Sequence, residues 1–167
     1  MSRKGIILPA FIGIFFLVLF TAASSDASFQ KVRIHVLGMT CEFCERALEK
    51  NLTRVPGVES ARAWLDKGTA EVTLKEGARL DIEKLARAVI DGGLTLKDIE
   101  VTAKGRLIEQ EGKLAFRVGG SNQLIPLKKD EKVEVFLKRA SELKLSLKIA
   151  AGQIRERLWT VEAIENL

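Results

Sequence analysis

The chain contains 167 residues, of which 47% are hydrophobic and 29% are charged. This composition excludes a mostly disordered chain and, beyond the N-terminal region, a protein with several membrane spans. The net charge of +5 comes from 27 basic and 22 acidic residues and is too diffuse to indicate nucleic-acid binding. We therefore expect one or two small globular domains that follow one apolar segment.

Residues 1–27 have the organisation of an export signal: a basic start, a charge-free run over 5–23 and a short polar stretch. Small side chains permit cleavage after Ser25 or Ala27. The run of 19 residues also approaches the roughly 20 that cross a bilayer, so an uncleaved membrane anchor is the alternative. In both cases the residues after Phe29 are expected in the periplasm or another extracytoplasmic space, either soluble after cleavage or anchored.

Residues 29–103 are predicted to form one α+β domain. Alternating and helical spacings of apolar residues predict a strand, a helix, two strands, a second helix capped by Asp81, and a final strand. The predicted ranges are Lys31 to Leu37, Glu42 to Val55, Val58 to Leu65, Thr69 to Leu74, Ile82 to Ile90 and Leu96 to Ala103. The order βαββαβ is that of the ferredoxin-like sandwich.

Two cysteines, Cys41 and Cys44, are the whole complement of the chain and lie between the first strand and the first helix. A structural disulfide framework needs more cysteines, and a bridge across two residues closes too small a loop to stabilise much. Metal sites and thiol–disulfide exchange both use this spacing, so the residues alone leave both open. The start of a helix favours thiolate over thiol there, and Thr40 could cap that helix.

The loop 38–44, GMTCEFC, together with the helix that ends in the sequence Val-Pro-Gly-Val at 55–58, resembles the heavy-metal-associated domain. That family occurs in copper chaperones, metal-pumping ATPases and periplasmic mercury-binding proteins. The resemblance implies one soft ion per chain, Cu(I) or Hg(II), held by Cys41 and Cys44. It further implies that Met39 packs beneath the loop. Leu94 takes a place where members often carry Tyr or Lys, and this weakens a choice between copper and mercury.

The ion is expected to pass by ligand exchange to a membrane metal transporter or a metal-pumping ATPase. Zn(II) is the poorer candidate, because two thiolates leave its tetrahedral coordination incomplete. The chain itself is expected to be a monomer or a transient dimer bridged by metal.

Three other side chains of this domain are assigned ordinary roles. His35, the only histidine, is expected on the polar face of the first strand. Phe43 is expected to screen the cysteine loop or pack at the domain edge. Trp64 is expected in the core or on the sheet surface.

Residues 104–167 are predicted to form a second, mainly β domain. The pattern indicates strands at Arg106 to Ile108, Leu114 to Val118 and Gln123 to Leu127, then a helix from Asp130 and a hairpin over 145–164. Three strands, a helix and two strands is the order of the OB-like barrel. Few aromatic residues are available for base stacking, so we expect a structural or protein-contact module and no nucleic-acid partner.

The sequence thus predicts an exported metal-trafficking protein that is not an enzyme. A hydrolase nucleophile would require a histidine base with an orienting carboxylate, and His35 shows no such arrangement in the sequence. The alternatives are a periplasmic thiol–disulfide oxidoreductase and an adaptor module whose disulfide is idle.

Overall fold

The structure is a computed structural model that describes residues 29–137 and 142–167. Its elements are β1 (Phe29–Leu37), α1 (Glu42–Thr53), β2 (Val58–Trp64), β3 (Thr69–Leu74), α2 (Ile82–Asp91), β4 (Thr95–Gln110), β5 (Lys113–Val118), β6 (Leu124–Pro126), α3 (Glu131–Leu137), β7 (Leu143–Ala150), a 3₁₀ turn (Ala151–Gln153) and β8 (Thr160–Asn166). The predicted export signal or anchor lies outside the described residues. Within the described ranges, no helix is long and apolar enough to cross a membrane.

The first part of the chain is the predicted ferredoxin-like sandwich. Its strands lie in the order β2-β3-β1-β4, and all neighbouring pairs are antiparallel. Val32, Ile34 and Val36 of β1 are buried, as the period of two predicts. The helices bury Leu48 on α1 and Val89 on α2, which lie in the same apolar core. The predicted βαββαβ arrangement is therefore confirmed.

The longest strand, β4, belongs to both parts of the chain. It has 16 residues and pairs with β1 over Thr95 to Ala103. Residues 98–105 of the same strand also pair with β7 along the opposite edge, and 105–110 pair with β5. The predicted separate strand at 106–108 is therefore wrong: the extended backbone and its side-chain alternation continue through Gly105. The predicted boundary between 103 and 104 falls inside this strand.

Four further strands extend the sheet beyond the sandwich. β5 and β6 follow β4 on one side, and β7 and β8 follow on the other. The end of β6 reaches the start of β8 through one isolated parallel bridge between Leu127 and Trp159. Two backbone hydrogen bonds accompany it, from Lys128 N to Trp159 O at 2.8 Å and from Trp159 N to Pro126 O at 3.1 Å. A strand-rich second region is thus present, but these contacts do not form a continuous ladder that closes the sheet.

The two parts of the chain are joined by side chains as well as by β4. Gln123 donates to Leu80 O at 2.8 Å and accepts from Leu80 N at 2.7 Å, so one amide satisfies both backbone groups. Arg157 forms an ion pair with Glu83 at 2.6 Å. Buried apolar side chains of both parts form one core cluster. We therefore expect the parts to unfold together.

At Gly105 the pairing of β4 with β7 ends and its pairing with β5 begins. The close approach of the strands at this position requires glycine. A Cβ there would overlap the carbonyl oxygen of Arg117 and lie 2.9 Å from Cζ of Phe116. We predict that Gly105→Ala lowers the free energy of unfolding by roughly 2–3 kcal/mol, because backbone of two strands would have to separate. The matched control is Gly152→Ala, where no heavy atom lies within 4 Å of the added carbon. Urea unfolding followed by circular dichroism measures both, and equal stability of the two variants would contradict this packing.

A charged row crosses the sheet face that the helices leave open. Glu71 on β3 pairs with Lys31 at 2.7 Å and with Arg33 at 2.9 Å. The pKa of Glu71 is lowered by the hydrogen bond from Lys31, against the opposing effect of burial, and Arg33 lowers it further.

The lowered pKa of Glu71 predicts acid-dependent stability. The ionised carboxylate stabilises the fold above its unfolded pKa, and that contribution is lost as pH falls through the lower folded value. Glu71→Gln should therefore be less stable than the natural chain at pH 7, by roughly 0.5–1 kcal/mol for this partly exposed pair. The difference should shrink below about pH 4 and disappear in stronger acid. Thermal unfolding across this range tests it, and a difference that does not depend on pH would refute the assignment.

Candidate metal centre

The cysteine loop begins where β1 ends. Gly38 follows the strand with φ of +88°, a left-handed conformation that glycine adopts without strain. The next residue, Met39, is buried and lies in the core cluster. The prediction that Met39 packs beneath the loop is confirmed. Its side chain anchors the loop from below, while Thr40 is exposed.

Cys41 caps the first helix. Its backbone is extended, with φ of −148° and ψ of 153°, and its Sγ accepts a hydrogen bond from the Cys44 backbone N at 3.2 Å. Its carbonyl oxygen accepts from Glu45 N at 3.2 Å. The expectation that Thr40 caps this helix is therefore wrong, because α1 starts at Glu42 and the residue before it takes the cap position.

The structure brings the two predicted ligands together as a disulfide. Cys41 and Cys44 are bonded through their sulfurs, and their Cα atoms lie 5.3 Å apart. Both residues are half-buried, and Cys44 packs against the core cluster. The two free thiolates implied by the family resemblance are thus absent in this redox state. Because thiolate is the metal-binding form, an ion can enter only after the bond is reduced.

Apolar and charged side chains surround the loop. Phe43, between the cysteines, is 80% exposed, and Leu37 at the end of β1 is 56% exposed. Phe43 therefore does not pack into the domain edge, and its ring has the guanidinium of Arg46 6.0 Å from its centroid. Arg46 also pairs with Glu42 at 3.4 Å, so the acidic first turn is partly balanced. Leu94 is buried in the core and contributes no polar group.

The other singled-out side chains lie on the open face of the sheet. Trp64 is half-buried there, with Lys67 Nζ 5.7 Å and Arg62 Cζ 6.0 Å from its ring, which confirms the sheet-surface alternative. His35 is also half-buried, and its Nε2 lies 3.4 Å from Glu100 and 3.8 Å from Asp98. Sequence reasoning missed this grouping, because the carboxylates meet the imidazole only through the pairing of β1 with β4.

The ferredoxin-like sandwich with a paired-cysteine loop before its first helix defines a class of small metal-binding domains. A comparison with protein families matches residues 33–94 to the heavy-metal-associated domain. The copper chaperone CopZ of Staphylococcus haemolyticus (strain JCSC1435) is 38% identical over 64 residues, which are 38% of this chain and 93% of that protein. The mercuric transport protein periplasmic component of Salmonella typhi is 36% identical over 67 residues, 40% of this chain and 72% of that protein.

Among solved structures, oxidized MerP from Ralstonia metallidurans CH34 is 31% identical, with a TM-score of 0.37, over 41% of this chain and 93% of that one. The match to the copper chaperone CopZ, at 38% identity, covers 93% of the length of CopZ. The chain therefore belongs to the heavy-metal-associated domain family.

The arrangement of Cys41 can be tested without metal. In the reduced chain, Cys41→Ser keeps an acceptor at the cap, whereas Cys41→Ala removes it. We predict that the alanine variant is about 1 kcal/mol less stable than the serine variant, because the Cys44 backbone N–H loses its side-chain acceptor and keeps only the carbonyl oxygen of residue 41, at 3.0 Å. Urea unfolding under a reductant measures the difference. Two variants of equal stability would show that the cap contributes nothing.

Proposed function

We propose that this protein is an exported, non-enzymatic carrier that binds one Cu(I) or Hg(II) ion between Cys41 and Cys44. The observation that carries the proposal is the adjacency of two half-buried cysteines at the start of α1. The ion is cargo: it arrives, is held by the two sulfurs and leaves by ligand exchange. The relatives named for copper and mercuric transport support this use of the same domain.

The number and type of ligands favour soft ions. Thiolates prefer soft, closed-shell cations, and two of them suit a nearly linear geometry. Zn(II) requires about four ligands in a structural site, and the two cysteines provide only two. The helix start adds backbone N–H groups and the positive end of the dipole, which stabilise sulfur in its charged form. Glu42 and Glu45, in the first turn, act against this through their negative charge.

Reduction controls entry to the site. The bond between Cys41 and Cys44 must gain two electrons, and the thiols then release their protons as the ion binds. In an oxidising compartment the carrier therefore needs a dithiol reductant or an ion that keeps the reduced form trapped. Loading is thus coupled to the redox state of the surroundings.

Surface position suits transfer to a partner. Two exposed apolar side chains lie close to the cysteines in sequence: Leu37 just before the loop and Phe43 between the cysteines. A membrane metal transporter or metal-pumping ATPase that offers two thiolates could approach here and exchange ligands one at a time. The predicted export signal or membrane anchor over 1–27 supports delivery on the outer side of the membrane.

The second region is proposed to be an OB-like barrel that docks or positions the carrier. Its support is the strand order: the second half of β4 pairs with β5, β5 pairs with β6, β7 pairs with β4, and β8 pairs with β7. The parallel contact between Leu127 and Trp159 lies where such a barrel joins its third and fifth strands. Phe116 and Trp159 are buried, so neither ring is available as a stacking platform for bases.

An anaerobic competition titration tests the metal assignment. The reduced full chain should bind one equivalent of Cu(I) or Hg(II) and should prefer either over Zn(II) at the cysteines by several orders of magnitude. Cys41→Ser and Cys44→Ser should each abolish tight binding of the soft ions. Cys44→Ser leaves the cap acceptor of Cys41 in place, which separates ligand loss from loss of the helix start. Equal affinity for zinc at the cysteines would reject the proposal.

The oxidoreductase is the second candidate, because the structure contains the disulfide at a half-buried position. The two functions differ in what protects the thiols. Under the carrier proposal, bound metal should slow alkylation of both cysteines strongly, and the oxidised chain should transfer its disulfide slowly to a reduced, unrelated protein. Rapid transfer, with no metal protection, would favour the oxidoreductase.

A further inference from the structure

A second group of metal-ligating side chains lies on the open face of the sheet. His35 on β1 is paired in register with Asp98 on β4, and Glu100 lies two residues further along β4. One ligand atom from each of these three residues lies within 4.8 Å of the other two. None of these residues belongs to the cysteine loop, so the group shares no ligand with it.

The centre of this group contains unsatisfied polar atoms. Asp98 is 5% exposed, and its Oδ1 has no hydrogen-bond partner among the described residues. His35 Nε2 is buried and likewise lacks one, since its approach to Glu100 at 3.4 Å does not have hydrogen-bond alignment. Buried carboxylate oxygens rarely lack a hydrogen-bond partner. A positive ion between Asp98 Oδ1 and His35 Nε2 would satisfy both atoms.

Lys148 on β7 contacts one oxygen of each carboxylate of this group. Its Nζ lies 3.2 Å from Oε1 of Glu100 and 3.7 Å from Oδ2 of Asp98. His35 instead faces Oε2 of Glu100 and Oδ1 of Asp98. Each carboxylate therefore presents one oxygen to the lysine and the other to the imidazole. Lys148 also contacts Glu162 at 3.8 Å, and Arg33, which pairs with Glu71, lies 4.0 Å from Oε2 of Glu100. Among these ion pairs the four carboxylates (Glu71, Asp98, Glu100 and Glu162) outnumber the three cations (Lys31, Arg33 and Lys148) by one, so negative charge remains.

We propose that His35, Asp98 and Glu100 form a second metal site, which takes a borderline divalent cation such as Zn²⁺. One imidazole nitrogen and two carboxylate oxygens are the ligands that such ions prefer, whereas Cu(I) and Hg(II) prefer sulfur. Three protein ligands leave a coordination position for water, and the partial exposure of His35 and Glu100 provides the entry path.

The oxidised full chain is the sample for the test, because its disulfide makes both sulfurs unavailable. Zn²⁺ alone is the probe, and calorimetry should show one saturable site per chain. The chain has one histidine, so the imidazole NMR signals report His35 without ambiguity, and they should shift on zinc addition. The Cys41→Ser/Cys44→Ser double variant should bind zinc equally well, which separates this site from the proposed carrier site.

Two ligand variants and one neighbour complete the design. His35→Gln and Asp98→Asn should each weaken zinc binding by at least tenfold, while thermal unfolding verifies that each variant folds. Glu165→Gln, which removes a charged partner of Lys144 on β7 and none of the ion pairs of the group, should bind like the natural chain. The proposal is overturned if the oxidised chain binds no zinc, or if binding persists in His35→Gln with unshifted imidazole signals in the natural chain. The NMR signals of the natural chain decide the matter even if a variant fails to fold.

Discussion

The fold depends on the pairing of one long strand with three others. β4 pairs with β1 and β7 along its two edges between 98 and 103, and then with β5 beyond Gly105. The metal-binding sandwich would end at Ala103 if the strand stopped there. Because the strand continues, the core of the sandwich and the core of the second region are one cluster of buried side chains. Cooperative unfolding of the two regions follows from this shared strand and core.

The cysteine pair lies at the start of a helix, whereas the charged side chains lie on the face of the sheet that the helices leave open. The helices cover one face of the sheet, and Cys41 caps the first of them, α1. The opposite face has the row of charged side chains that includes Glu71, His35 and Lys148. A residue's face follows from its parity along the strand, so neighbours in sequence face different environments. The proposed sulfur ligands lie at a helix start, and the proposed nitrogen and oxygen ligands lie on the open sheet.

Local patterns were enough to predict most of residues 29–103. The alternation of β1, the spacing of Leu48 and Leu52, and the Asp81 cap are each determined by neighbours within a few positions, and the structure confirms them. The cysteine pair could be found for the same reason, because its spacing and the preceding glycine are local. Its disulfide state could not be predicted, since it depends on redox conditions as well as geometry.

Features that depend on strand register could not be predicted in this way. Nothing local distinguishes a glycine that ends a strand from one that lets two strands approach, so the continuation of β4 through Gly105 was missed. The grouping of His35 with Asp98 and Glu100 requires the alignment of β1 with β4, which pairs His35 with Asp98, 63 positions later in sequence. Charged residues at every second position of the predicted strands indicate a polar sheet face. This pattern does not specify which residues of two strands lie opposite each other.

X-ray absorption spectroscopy on the reduced full chain, loaded with one equivalent of Cu(I) or Hg(II), identifies the atoms that bind the ion. We expect two sulfur atoms in the first coordination shell and no protein nitrogen or oxygen at bonding distance, because Cys41 and Cys44 are proposed to hold the ion alone. Substitution of either cysteine by serine should remove this sulfur shell. A first shell of nitrogen and oxygen in the natural chain would contradict the account, since it would place the soft ion away from the cysteine loop.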